Sequence, residues 1–332
     1  MLDKTPPIMS SVIQWVMVGV TADFRQVECD KSEATLVKIS ALQHKPAIFN
    51  GRAVHGNSVE VMTDNLIHSR YKSAAQAPAL QVLIVGASGE LGGALACHYA
   101  GLGANLTLWG RDAARLDRIS RACTDAGART TDTATIDLND TRLMLDRATA
   151  ADTATPFDLL VIASGRGDIR DAGARCENAL TVAEMVQVNF AGPAALATAL
   201  GERMAARGKG QIVLIGSAAA FHALPFATAY AGSKAGLARF AEGLRINLKR
   251  HGVSVTLVSP GFINTQAARN VPGPKPLALS AQRAAALIAR ATARGTSHAI
   301  MPWPFALLRV VDRMLPRPVR ERLLQALAPE GR

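Results

Sequence analysis

The chain has 332 residues, 49% of them apolar, 19% charged and only 5% aromatic, which is enough to bury a full core and too apolar for a disordered protein. No apolar run approaches the roughly 18 residues that span a bilayer; the best, Val12 to Val20, is short and broken by Gln14, so a membrane-spanning protein is not expected. The net charge of +11 is scattered singly among Ala-rich segments with no basic run and few aromatics to stack on bases, so a phosphate-bearing cofactor is a better-matched partner than nucleic acid.

Residues 1 to 78 mix Pro6, Pro7, eight basic and seven acidic side chains and short apolar patches without a sustained period, and they end in the small-residue stretch Ser73 to Pro78. They read as a weakly ordered extension. Asp3 and Lys4 precede no small-residue cleavage site, so a signal peptide is not expected, and Met62 is an alternative translation start. Cys29, Cys97, Cys123 and Cys176 lie far apart and suggest neither a zinc site nor a disulfide framework, which points to a reducing, cytoplasmic location.

From Leu80 onward, short β-branched runs alternate with longer amphipathic segments. Strands are predicted near 80–86, 104–109, 132–136, 157–163, 211–216, 253–258 and 297–301. Helices are predicted over about 90–101, 112–126, 140–150, 180–207, 226–251 and 280–294, each long enough for a right-handed crossover. The result is an α/β domain over 79–301, a doubly wound parallel sheet of about seven strands, followed by a helical tail at 302–332. Such sheets bind ligands beyond the carboxyl ends of their strands.

The first strand runs into Gly86-Ala87-Ser88-Gly89-Glu90-Leu91-Gly92-Gly93 and then a helix. A tight glycine turn ahead of free helix N–H groups is what a pyrophosphate needs, although a glycine cluster alone also suits an ordinary turn. The second strand ends without an acidic residue and is followed by Arg111. An acid there would accept from the 2′-hydroxyl of NAD, whereas arginine pairs with the 2′-phosphate of NADP. Asp112 is suited to cap the next helix.

Tyr230-Ala231-Gly232-Ser233-Lys234, with Ser217 thirteen residues earlier at a strand end, carries the strongest signal. Residues i and i+4 share a helix face, so Tyr230 and Lys234 converge on one site. A nearby ammonium favours the ionised phenol and tunes it toward a working pH, while Ser217 donates a hydrogen bond to a substrate oxygen.

Together these residues resemble the classical short-chain dehydrogenases/reductases, a family with a Rossmann-type fold, over roughly Leu80 to Met301. The resemblance rests on the glycine turn Gly86 to Gly92, Asp137-Leu138, Asn189, Ser217, Tyr230, Lys234 and Pro260-Gly261-Phe262-Ile263-Asn264-Thr265. It implies that Tyr230 is the general acid/base, that Ser217 positions the carbonyl, and that Lys234 binds the nicotinamide ribose while lowering the Tyr230 pKa. Asn189 would hold the water of a proton relay. The cofactor, NADP(H) in preference to NAD(H), would contact Gly86, Ser88, Gly89, Glu90, Leu91, Gly92, Arg111, Asp137, Leu138 and Gly165. Pro260, Gly261, Ile263 and Thr265 would line its nicotinamide end. The expected reaction interconverts a carbonyl and a secondary alcohol on a small substrate, in a homodimer or homotetramer.

Two positions depart from the family pattern. Glu90 stands where a glycine is usual, so its carboxylate must turn away from the pyrophosphate or weaken binding. Ile162-Ala163-Ser164-Gly165 replaces Asn-Asn-Ala-Gly, keeping the glycine but losing two polar groups. These changes keep open a second reading, a nucleotide-binding regulatory or scaffold protein with little turnover.

Other residues have ordinary explanations. His222 reads as a loop bystander, His98 and His251 as helix-surface residues, Met185 and Met204 as core, and Cys176 as an unactivated loop thiol. Substrate choice is expected to depend on Ala267 to Ala278, stiffened by Pro272, Pro274 and Pro276, and on the tail. That tail, Trp303 to Leu315, then Pro316-Arg317-Pro318 and a second helical stretch to Ala328, is amphipathic and basic. A lid over the pocket, an oligomer contact and an interfacial membrane anchor compete for it, with packing contacts as the default. An apolar tail beside the pocket favours a hydrophobic substrate over a sugar.

Overall fold

The computed structural model describes residues 78–326 apart from 168, 169, 172 and 270–274. The predicted N-terminal extension, the alternative start at Met62 and two of the loop prolines, Pro272 and Pro274, lie outside the described residues.

Seven parallel strands form one sheet: β1 (Gln81–Val85), β2 (Asn105–Gly110), β3 (Thr130–Thr135), β4 (Leu159–Ile162), β5 (Gly210–Ile215), β6 (Val253–Pro260) and β9 (His298–Met301). Their order is β3-β2-β1-β4-β5-β6-β9. Helices cover both faces, so the central strands are apolar without alternation; Leu159 to Ile162 and Ile212 to Leu214 are fully buried. The edge strand β3, Thr-Thr-Asp-Thr-Ala-Thr, stays largely exposed and polar, which blunts the edge against pairing with another chain. Chain order reverses between β1 and β4, whose ends both lie beside the first glycine turn: Ala163 donates to Val85 O, and Gly86 to Trp109 O.

One face is covered by α1 (Glu90–Ala100), α2 (Ala113–Asp125) and α8 (Ala281–Ala293), which bury Leu95, Leu116 and Ile288. On the other lie α3 (Thr141–Ala154), α4 (Ala179–Val186), α5 (Gly192–Ala206) and α6 (Thr228–Lys249), burying Met144, Leu196, Met204 and Leu237. Side-chain caps start most of them. Asp112 accepts from Arg115 N, Asp140 from Leu143 N, Asn178 from Leu180 N, and Ser280 from Arg283 N. The first helix has no side-chain cap, because Gly89 offers none, and α5 and α6 also start without one.

Two local features were not predicted. The single helix expected over 180–207 is interrupted by a π turn at Gln187–Ala191. Pro193 explains the widening, since it lacks the N–H that a regular helix would donate to Asn189. A short pair, β7 (Ile263–Asn264) with β8 (Leu279–Ser280), brackets a single turn of helix, α7 (Gln266–Arg269). The tail divides at Pro316, where the sequence placed the break, into α9 (Pro304–Met314) and α10 (Arg317–Ala326). No described helix is long and apolar enough to cross a membrane.

Candidate active site

At the first strand-to-helix turn, Gly86 has φ +88°, and a Cβ there would lie 2.6 Å from the Ser164 backbone nitrogen. A Cβ on Gly92 would collide with the Gly86 carbonyl. Both positions therefore require glycine, for the turn and for the close approach of helix to strand. Gly89 donates to Gly86 O at 3.0 Å and Gly93 to Gly89 O at 2.8 Å, leaving the uncapped first N–H groups of α1 facing outward as an anion cradle. Ser88 packs against Gly110 at the end of β2, next to the exposed Arg111. Leu91 is half-buried on the cradle helix.

Along the groove, Asp137 is exposed and accepts from Asn139 N at 3.0 Å, while Leu138 is buried and its carbonyl accepts from Gln187 Nε2 at 3.0 Å. Ser164 Oγ is buried with no hydrogen-bond partner among the described residues. It projects from the segment that Gly86 touches, and an orphaned hydroxyl there is suited to a polar ligand. Sequence reading noted the segment Ile162-Ala163-Ser164-Gly165 only for its two lost polar groups and gave Ser164 no role. Its value became visible when β4 was placed beside the glycine turn.

The catalytic candidates come together at the ends of β4, β5 and α6. Ser217 lies two residues past the β5 end and is buried at 8% exposure; its Oγ accepts from Ala219 N at 3.1 Å. One turn along α6, Lys234 is 3% exposed and donates to Ile215 O at 2.9 Å. Burial pushes its ammonium down to about 8. Burial also pushes the Tyr230 phenol above its ordinary value, while the Ser217 hydrogen bond pulls it down. The expected downward tuning by Lys234 is thus not the dominant influence on Tyr230 in the protein itself. A phenol held protonated is the form that donates a proton.

Asn189 is fully buried in the π turn. Its Oδ1 accepts from Arg166 N at 2.7 Å, and its Nδ2 donates to Arg166 O at 2.8 Å and to Ser233 Oγ at 3.2 Å. One side chain thereby locks the loop after β4 to the Tyr230 helix. A Cβ on Gly165 would sit 3.2 Å from Lys234 Nζ and 3.4 Å from Asn189 Oδ1, so this glycine keeps the loop close to both.

Beyond β6, Pro260 ends the strand, and Gly261 donates to Met301 O at 2.8 Å with its α-carbon against the Phe305 ring. Ile263 lies in β7, and Thr265 Oγ1 accepts from Ala268 N at 3.2 Å. Glu90 reaches across to this segment: Gln266 N donates to its Oε1 at 2.5 Å, and Arg269 Nη2 lies 3.8 Å away. The carboxylate is therefore engaged by α7. His222, expected as a bystander, instead pairs through Nδ1 with Asp312 at 3.2 Å.

A bare glycine cradle, an uncapped helix start and an orphaned hydroxyl together fit a dinucleotide. A family model described as short chain dehydrogenase matches residues 81–275. An uncharacterized oxidoreductase of Myxococcus xanthus is 30% identical over 238 residues, covering 71% of this chain and 93% of its own. A second uncharacterized oxidoreductase, from Mycobacterium tuberculosis, is 32% identical over 248 residues, covering 74% and 97%. Among solved structures, a short-chain dehydrogenase from Sphingobium yanoikuyae in complex with NADPH superposes with a TM-score of 0.62 at 23% identity, over 76% of this chain and 98% of its own, and shares the fold. With the family model spanning more than half of its length, the chain belongs to the short-chain dehydrogenase/reductase family and is an NAD(P)-dependent oxidoreductase.

Proposed function

We propose that the protein interconverts a carbonyl and a secondary alcohol on a hydrophobic small substrate, with NADP(H) as the preferred cofactor and Tyr230 as general acid/base. The observation that carries this reading is Lys234, buried one turn after Tyr230 on α6 and tied at 2.9 Å to the Ile215 carbonyl at the end of β5, two residues before the buried Ser217. The nicotinamide, when bound, supplies or accepts the hydride. Gly86, Ser88, Gly89, Leu91 and Gly92 form the cradle for its diphosphate. Asp137, Leu138 and Gly165 line the adenosine side, and Pro260, Gly261, Ile263 and Thr265 the nicotinamide side. Arg111, exposed after a β2 that ends without an acid, supports the 2′-phosphate preference.

In the reducing direction, Ser217 orients the carbonyl oxygen and the protonated Tyr230 donates to it. Lys234 holds the ribose and, as an adjacent cation, stabilises the phenolate left behind. Asn189 keeps the β4 loop against α6 and holds the water through which the proton is replaced. The rings of Phe221, Phe262 and Phe305, together on the side of the site where the tail packs, support an apolar substrate.

The test is titration with NADPH and with NADH, followed by cofactor oxidation against a panel of aldehydes and ketones for wild type and Tyr230→Phe. NADPH is expected to bind more tightly, and Tyr230→Phe to lower turnover by about a hundredfold or more while retaining binding. Tight binding without turnover on any carbonyl would instead favour a nucleotide-binding regulatory protein, and binding of neither nucleotide would refute the assignment.

A further inference from the structure

Helix α9 is amphipathic the wrong way round for a helix packed on a water-soluble body. Phe305, Arg309 and Asp312 recur at helical spacing on one face, and that face meets the protein. The Phe305 and Phe262 rings pack edge to face at 6.3 Å. Arg309 lies over the Phe221 ring, 5.0 Å from its centroid, and 3.5 Å from His298 Nδ1, while Asp312 pairs with His222.

The opposite face carries Trp303, Leu307, Val310, Val311 and Met314, which are 64%, 48%, 52%, 43% and 79% exposed. Seven of the fourteen exposed large hydrophobic residues described fall between Trp303 and Val319. The stripe from Trp303 to Met314 is about 16 Å long, too continuous to be the scattered exposure of an ordinary surface.

Charge selects the partner. The one acid in α9, Asp312, is turned inward. Just past the stripe, α10 presents Arg317, Arg320 and Arg322 against the single acid Glu321, which already faces Arg317 at 3.8 Å. A second copy docked through the same stripe would bring both sets of arginines to one seam. An anionic lipid surface complements both features at once: apolar side chains enter the acyl boundary, arginines meet headgroup phosphates, and Trp303 sits at the interface.

We propose that α9 is an interfacial docking helix that seats the protein on anionic bilayers. It packs on the turn after Ser217 and on Gly261-Phe262, so docking sets the substrate side of the site next to the lipid. The docking of α9 stands on the tail alone; only the placing of the substrate side next to the lipid rests on the Tyr230 reading.

The test mixes the full chain with phosphatidylcholine vesicles, with and without phosphatidylglycerol, and measures co-sedimentation and tryptophan emission. Association with the anionic vesicles is expected, weakened by salt and by Arg317→Gln with Arg320→Gln, together with a blue shift that Trp303→Phe removes. Leu307→Glu and Val310→Glu should each lower partitioning at least about tenfold, the equivalent of one buried aliphatic side chain, while circular dichroism shows the fold retained. Failure of wild type to bind anionic vesicles, or binding that Leu307→Glu leaves unchanged, overturns the proposal. So does a wild-type dimer that Leu307→Glu dissociates without any vesicle binding, which would assign the stripe to a second copy.

Discussion

Tyr230 and Lys234 were legible because i, i+4 spacing is a local property of helices, and Ser217 because it stood at a strand end. Their electrostatics were not, since a pKa depends on what the rest of the chain stacks around the group. Lys234, pushed down to about 8, makes stability depend on pH with a defined sign. Between pH 8 and about 10 the unfolded chain keeps the lysine proton that the folded chain has released, so folding stability rises with pH in that window. Above it the effect reverses, because Tyr230 is held protonated only in the folded state. Denaturant melts across this range should show the rise, and Lys234→Met should flatten it. Glu90 offers a second prediction. Its carboxylate belongs to the cradle helix, and its partner Arg269 stands 3.8 Å away. Glu90→Gly removes a negative charge beside the diphosphate and is expected to tighten NADPH binding at low salt by up to about tenfold, on the order of 1 kcal/mol. Fluorescence titration of both proteins checks it; weaker binding by the variant would mean that the tie to Gln266 and Arg269 organises the site.

Strands and helices of the central domain matched the predicted positions because each is marked by its own residues: β-branched runs for buried parallel strands, Ala-rich periodicity for crossovers, and Asp112, Asp140 and Ser280 at helix starts. The features that escaped prediction carry no mark in the hydrophobic period: the π turn follows from the missing N–H of Pro193, and the β7–β8 pair from partners distant in sequence. The π turn places Asn189 where the β4 loop can reach it, and the β7–β8 pair forms only because α8 brings Leu279 beside Ile263. The tie between α3 and α5 belongs to the same class. Asp152 is fully buried; burial alone would raise its pKa, but Arg207, the Phe157 N–H and Arg203 together hold it below the usual range. Its contacts are Arg203 Nε at 2.5 Å, Arg207 Nη1 at 2.7 Å and Phe157 N at 2.9 Å. Asp152→Ala leaves Arg203 and Arg207 without their carboxylate and is expected to cost about 3–5 kcal/mol in a chemical melt. In the wild type this contribution is present above the ordinary carboxylate pKa of about 4 and is lost as pH falls through the depressed folded value.

At the scale of the whole molecule, the tail has one face packed on Phe221, His222 and Phe262 and the other apolar and exposed. Because that outer face makes no use of the body for its packing, Leu307→Glu is expected to change folding stability by less than about 0.5 kcal/mol, a result a thermal melt checks directly. A larger loss would mean that the stripe is packed within the protein. The sequence by itself determined the family, the strand and helix succession, the glycine cradle and the Ser217-Tyr230-Lys234 set, because motif spacing and hydrophobic period are local and survive without knowledge of the fold. It also showed that the tail was amphipathic, but left a lid, an oligomer contact and a membrane anchor as competing uses of that pattern, with packing contacts as the default. Only the tertiary structure decided which face of α9 turns inward, where the Glu90 carboxylate goes, and that the Ser164 hydroxyl finds no partner among the described residues. Each depends on which segments meet across the sheet, and periodicity identifies a helix face without saying what lies opposite it.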